Sequence, residues 1–329
     1  MTGERMRDGQ GSPVGLPAEF SLIARHFRPL AGPGALGLED DAAVLALPAG
    51  RELVIAADAM VAGVHFLPDD PPESIGRKLL RTNLSDLAAM GADPFGYLMT
   101  TAFPKGTADA WVAAFAAGLL LDQAEFGLHV LGGDTVSTPG PLTLSLTILG
   151  TCAPGQALRR NGARAGDQLW VSGSIGDGAL GLRVLQGKLP ADAFLAERYR
   201  LPRPRLALGQ ALVGVATACM DVSDGLVQDL GHLCRASGLG AMLRAGDVPL
   251  SASAAAHPAL LPLVLTGGDD YELLFAAPAE AAKAVRAAAR GAHVPVACIG
   301  HFAAGAPAVT VLDRDGAELT LPQGGWSHF

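Results

Sequence analysis

The stretch "PLTLSLTIL" alternates strictly, with Leu142, Leu144, Leu146 and Ile148 on one face and Thr143, Ser145 and Thr147 on the other. A period of two is the signature of a half-buried β-strand and is incompatible with a helix of 3.6 residues per turn. "ELVIAAD", "LHVLGGD" and "DQLWVSG" read as further strands, each running into Asp or Gly. Helical patterns fall between and after them, at 73–90, 108–126, 178–186 and 226–236, with Pro71 and Pro72 placed to start the first. Segments that alternate in this way along the whole chain predict an α/β (α+β) architecture.

The chain has 329 residues, half of them hydrophobic, which is enough for two cores rather than one. The connector "GTCAPGQALRRNGARAGD", rich in Gly, Pro and Arg, follows one strand and precedes another. It places a domain junction there, giving an N-terminal domain over 16–150 and a C-terminal domain over 151–329. The first fifteen residues, "MTGERMRDGQGSPVG", are polar and Gly-rich without the apolar centre of a signal peptide, so 1–15 reads as a flexible arm. The net charge of −8, from 32 acidic against 24 basic residues, comes with no basic stripe, which argues against nucleic acid as a partner. The most apolar run, "WVAAFAAGLLL", is well short of the ~20 residues that span a bilayer and reads as a buried core helix. Cys152, Cys219, Cys234 and Cys298 stand far apart with no CxxC pair, so neither a disulfide framework nor a zinc site is expected, and a cytoplasmic location fits.

Carboxylates stand in unusual places. On the helix containing "TNLSDLAAMGADP", Asp86 falls about 20° from Leu79 at 100° per residue, inside the apolar arc, while Arg77, Lys78, Arg81 and Ser85 gather on the opposite side, expected to be solvated. A bare buried carboxylate costs several kcal/mol, so Asp86 must be protonated, paired or bound to a metal. Asp40 and Asp41 precede an apolar run, Asp58 and Asp134 close strand patterns, and Asp221 and Asp224 bracket the "DVSD" turn. Strand ends are where ligand sites concentrate in α/β folds. Converging carboxylates repel one another unless divalent cations hold them, and Mg²⁺ with phosphate oxygens suits an all-oxygen set. Each piece taken alone also has a plain structural reading: Ser223 or Asp224 as a helix cap, "GGDT" as a turn, Asp86 as a buried ion pair.

"GDGALG" matches G-x-G-x-x-G after a strand, as a dinucleotide fingerprint requires. About 20 residues further on the fingerprint needs a second strand ending in an acid. The sequence there is "LAERYRLPRPR", in which no strand is read. Close helix packing or a phosphate contact is the preferred reading of "GDGALG". No P-loop and no HRD or DFG motif is present.

Taken in order, "EFSLIARHF", "DDAAVL", "AGVHFLPD", "NLSDLAAMGADP", "GGDT", "RRNGARAGD", "DVSDGLVQDLGHL", "GGDDYELLF" and "GGWSHF" resemble the thiamine-monophosphate kinase family, within the superfamily of aminoimidazole ribonucleotide synthetase. The resemblance runs over nearly the whole chain. It implies the two-domain fold of that superfamily, with an N-terminal mixed sheet and helices that dimerise through the sheet, and a C-terminal α/β domain completing the site. It also implies a homodimer and Mg²⁺-dependent transfer of phosphate from ATP to thiamine phosphate, the last step in making thiamine diphosphate. By the same resemblance Asp41, Asp58, Asp86, Asp134 and Asp221 are metal ligands, with Asp224 near the phosphates and also assigned to metal. Gly133, Asp134, Arg160 and Ser223 match ATP positions, and His65, Asp269 and Trp326 match substrate positions. Several Mg²⁺ ions would carry the electrostatics, and no general base is required.

Two departures stand out. Ala56 and Ala57 precede Asp58 where the family often has hydroxyl residues, and Asp269 stands where Glu is common. Related superfamily enzymes that need a reactive cysteine at the C-terminus or in an N-terminal Gly-rich loop are disfavoured, since the chain ends "WSHF" and its first cysteine is Cys152. A non-catalytic nucleotide- or metal-binding module is the competing class, and turnover separates the two.

Overall fold

The computed structural model describes residues 18–321 and Gly325. The predicted arm, 1–15, and Trp326 lie outside the described residues. The chain forms two compact units: Met1–Asn83 with Pro94–Thr151, and Leu84–Asp93 with Cys152–Phe329. The ten-residue segment Leu84–Asp93 thus clusters with the second unit although it precedes most of the first in sequence.

The first unit contains α1 (Ala18–Leu22), β1 (Glu52–Val61), most of α2 (Pro72–Ala89), β2 (Asp93–Pro104), α3 (Asp109–Phe126), β3 (Val130–Thr138) and β4 (Thr143–Cys152). Its sheet runs in the order β1-β4-β2-β3, and β2 and β3 are parallel, joined through α3. The alternation read in β4 is present in space: Leu144, Leu146 and Ile148 are fully buried while Thr143, Ser145 and Thr147 are half-buried. Helix α3 buries Val112, Phe115, Ala116 and Leu119. It is not buried all round, because a helix can turn only one face to a core, and Leu120 and Leu121 are each 50% exposed.

On α2 the expected solvated side is instead enclosed. Lys78, Arg81 and Ser85 are buried and Arg77 is half-buried. For the two arginines the reason is a set of partners on α3 that no helical wheel of α2 can show. Arg81 donates through Nε to Asp122 Oδ2 at 2.7 Å and through Nη2 to Asp122 Oδ1 at 2.9 Å, Arg77 Nε reaches Asp122 Oδ1 at 2.9 Å, and Arg81 also bonds Glu125 at 2.7 Å. Bidentate guanidinium–carboxylate pairing satisfies both ions in one geometry, so burial is tolerated.

The second unit holds β5 (Gln168–Ser172), α4 (Asp177–Leu185), α5 (Ala193–Arg200), α6 (Leu206–Leu212), β6 (Ala218–Asp221), α7 (Leu226–Ser237), β7 (Gly240–Arg244), α8 (Ala252–Ala255), α9 (Leu261–Thr266), β8 (Leu273–Ala277), α10 (Ala282–Gly291), β9 (Val296–Ala303) and β10 (Val309–Leu312). The sheet order is β10-β7-β9-β5-β8-β6; β10 and β7 are parallel and the other neighbours antiparallel. Strand periodicity sorts side chains into two cores. Leu169, Val171, Leu274 and Ala276 join one cluster, and Trp170, Leu273, Phe275 and Ala277 the other. The stretch "LAERYR" folds as α5, capped by the Asp192 carboxylate accepting from Leu195 N at 3.0 Å, so no second strand follows "GDGALG".

Candidate active site

In the first unit the site is built on strand positions. Met99 lies opposite Gly133 in the β2–β3 ladder and Thr100 opposite Asp134. A Cβ on Gly133, at φ 151°, would lie 1.8 Å from the Met99 carbonyl oxygen, so the ladder closes here only over glycine. The next side chain, Asp134, is exposed, with Oδ1 accepting from Thr135 N at 2.9 Å. Gly133 and Asp134 line a cavity of about 720 Å³ together with Asp40, Asp41, Thr100 and Ser145. Among the described residues, no Lys or Arg lines it.

Asp58 is exposed in β1, and its carbonyl oxygen accepts from Ser145 Oγ at 3.2 Å. Asp58 and Asp134 therefore lie within strands rather than at strand ends, because β1 continues to Val61 and β3 to Thr138. Both strand readings stopped at the acid, since an Asp after an apolar run looks like a terminator. His65 follows β1, and its Nδ1 accepts from Val61 N at 3.0 Å. That bond leaves the ring proton on Nε2, which makes that nitrogen the donor. The His65 carbonyl oxygen accepts from Lys78 Nζ at 3.0 Å.

In the second unit the site is built on turns. Asp86 is half-buried in a turn of α2 whose neighbours Ser85 and Leu87 are fully buried. Ser85 Oγ donates to Asp221 Oδ2 at 2.7 Å, at the end of β6. Beyond it, the amides of Ser223, Asp224 and Gly225 all point at one oxygen, Asp229 Oδ2, at 3.0, 3.1 and 3.1 Å. Asp229 is buried, and desolvation, followed by the nearby Asp221 and Asp224, pushes its carboxyl up to about 8 despite those amide bonds.

Ligand atoms of Asp224, Asp229 and His232 lie within 4.8 Å of one another. Burial, then Arg235 and Arg160, lowers the pKa of His232. Asp229 and His232 are absent from the sequence-based site set; their spacing of three on α7, directly after "DVSDG", is the signal that places them on one face. Arg160 is exposed, with its carbonyl oxygen accepting from Ser237 Oγ at 3.4 Å.

The turn carrying Asp269 runs beside the "DVSD" turn. Asp269 N donates to Ser223 O at 2.9 Å, and Tyr271 N to Val222 O at 2.8 Å. The "GDGALG" segment packs on the same turn. Gly176 N and Gly178 N donate to the two carboxylate oxygens of Asp270, at 2.7 and 3.1 Å. The helix N-terminus that would receive a pyrophosphate in a dinucleotide fold is thus filled by an internal carboxyl group.

These are oxygen donors of the kind that bind a hard divalent ion such as Mg²⁺. Asp41 and Asp134 share a cavity with no Lys or Arg among its described lining residues, and ligand atoms of Asp224, Asp229 and His232 lie within 4.8 Å of one another, so a cation suits both places.

Residues 39–152 match the N-terminal domain of AIR synthase related protein, and residues 164–312 match its C-terminal domain. Among curated proteins, the thiamine-monophosphate kinase of Caulobacter vibrioides is 45% identical over 322 residues, 95% of this chain and 91% of that protein. Among solved structures, the thiamine-monophosphate kinase of Stenotrophomonas maltophilia K279a has a TM-score of 0.77 at 39% identity, covering 86% of this chain and 91% of that one. AaThiL complexed with AMPPCP and TMP gives 0.76 at 29% identity, over 88% of this chain and 91% of that one. The chain belongs to the AIR synthase related family, in its thiamine-monophosphate kinase branch.

Proposed function

We propose that the protein phosphorylates thiamine phosphate to thiamine diphosphate at the expense of ATP, as a Mg²⁺-dependent homodimer. The observation that carries this reading is the match over 95% of the chain to a thiamine-monophosphate kinase. Phosphoryl transfer needs alignment and charge neutralisation more than a covalent participant. Several Mg²⁺ ions, assigned to Asp41, Asp58 and Asp134 in the first unit and to Asp86, Asp221 and Asp224 in the second, would supply that neutralisation.

The chain's own groups do the rest. Gly133 offers a backbone that a phosphate can approach without meeting a side chain, Asp134 follows it, and Ser223 and Arg160 donate hydrogen bonds to ATP. His65, whose protonated Nε2 is a donor, and Asp269, with a carboxylate that suits the cationic thiazolium, are assigned to thiamine phosphate. Trp326 is assigned there too, as an aromatic face. The acceptor phosphate is already anionic and nucleophilic at neutral pH, so no residue needs to remove a proton.

For the dimer, the apolar side chains exposed on the first unit's sheet, Ile55, Leu98 and Val136, form the surface a second copy would cover. Four unpaired cysteines accord with a reducing, cytoplasmic setting. No helix among the described residues is long and apolar enough to cross a membrane.

The test is direct. Purified protein with ATP, thiamine phosphate and Mg²⁺ is expected to form thiamine diphosphate, seen by chromatography, and chelation with EDTA is expected to abolish it. No product with Mg²⁺ present would overturn the reading and favour a binding module.

A further inference from the structure

The segment between α9 and β8 carries no regular secondary structure, yet its backbone is among the most constrained in the second unit. Asp269 (φ 71°) and Tyr271 (φ 53°) both sit in the left-handed region that non-glycine residues avoid. Such strain persists only where the surroundings over-determine the conformation, and it gathers at functional sites. Between the two strained residues lies Asp270, fully buried.

The surroundings explain how the turn is held. The Asp270 carboxylate is gripped by the amides of Gly176 and Gly178 at the start of α4. Its carbonyl oxygen accepts from Arg198 Nη2 at 3.3 Å. Arg198 in turn bonds Glu272 Oε1 at 3.1 Å, and Glu272 also receives Arg205 Nε and Ser172 Oγ, each at 2.6 Å. Gly178 approaches so closely that a Cβ on it would lie 2.3 Å from the Asp269 carbonyl oxygen. On the other side, Asp269 and Tyr271 are tied by their amides to Ser223 and Val222. Backbone and buried side chain are fixed from two directions, while the Asp269 side chain remains half-exposed.

We propose that Asp270 is a positioning residue: by anchoring the strained turn on the N-terminus of α4, it holds Asp269 in the orientation that receives thiamine phosphate, and so governs the affinity for that substrate and not for ATP. The proposal rests on the assignment of Asp269 to the substrate. A purely structural Asp270 would contribute to folding alone.

Steady-state kinetics on the full chain separate the two roles. Asp270→Ala removes both acceptors, and Asp270→Asn keeps one oxygen for the two amides. The expected result is a KM for thiamine phosphate raised at least tenfold in Asp270→Ala and by less in Asp270→Asn, with the KM for ATP within twofold of the parent. A lowered melting temperature and reduced kcat with both KM values unchanged would assign Asp270 to folding only and overturn the proposal. Should neither variant fold, Gly178→Ala presses on the Asp269 carbonyl without touching the carboxylate. It is expected to raise the same KM, and an unchanged KM there overturns the proposal as well. Asp269→Ala is the control. If it leaves the KM for thiamine phosphate unaltered, the substrate assignment fails; if it raises that KM and the Asp270 variants do not, only the positioning role fails.

Discussion

The two units present their carboxylates by different means. In the first, Asp58 and Asp134 project from strands and are exposed, and regular strand backbone places them. In the second, the turns at Ser223–Gly225 and Gly268–Glu272 have no ladder, and buried carboxylates hold them: Asp229 collects three amides, Asp270 two, and Glu272 two guanidinium groups. A strand can carry a ligand with no dedicated support, whereas a turn of similar precision requires buried polar groups underneath it. Under the proposed function, acids of the second unit divide into those assigned to a ligand and those that hold the turns, and substitution should separate the two kinds.

The sharpest break in the contrast is Glu272→Ala, which leaves Arg198 and Arg205 in the interior without their shared carboxylate. It is expected to cost about 3–5 kcal/mol in denaturant unfolding, and a loss below about 1 kcal/mol would show that the network carries no load. Next come Asp134→Asn and Asp86→Asn, the first at an exposed and the second at a half-buried acid. Each is expected to lower turnover roughly 100-fold or more, equivalent to about 2.7 kcal/mol, while the melting temperature stays that of the parent. A coupled fall in stability would place either acid with the loop-shaping set. Ser85→Ala deletes one buried hydrogen bond to Asp221 and is expected to cost about 1.5–3 kcal/mol, measurable by urea unfolding. The smallest effect belongs to Leu120→Gln on the exposed face of α3, expected within about 0.5 kcal/mol of the parent. A larger change would reveal a contact that the isolated chain does not contain.

Much of the architecture was legible because periodicity is local. The two-residue alternation of β4 and the boundaries of α2, α3, α4 and α7 follow from neighbours within a dozen positions. The environment of α2 was not legible, since a wheel shows which side chains share a face but not what faces them; Asp122, which buries Arg81, lies 41 residues away. The same wheel puts Asp86 in the apolar arc, and the residue is half-buried rather than fully enclosed. "GDGALG" was rightly separated from a dinucleotide motif by the missing second strand. The carboxyl group that fills its helix N-terminus, on Asp270, is 94 residues from Gly176 and left no local trace. Asp229 and His232 stood in a quoted motif but were passed over, because a carboxylate that serves backbone amides looks in sequence like any other acid on a helix.

Gly133 carries a consequence for heredity. With the Met99 carbonyl oxygen already where a Cβ would sit, every missense change in this codon places an atom in occupied space beside the Asp134 carboxylate. In a library of single-nucleotide variants selected for activity, codon 133 is expected to retain synonymous changes alone, whereas codon 132, whose added Cβ would meet only the Leu98 side chain at 3.3 Å, should accept small substitutions such as alanine.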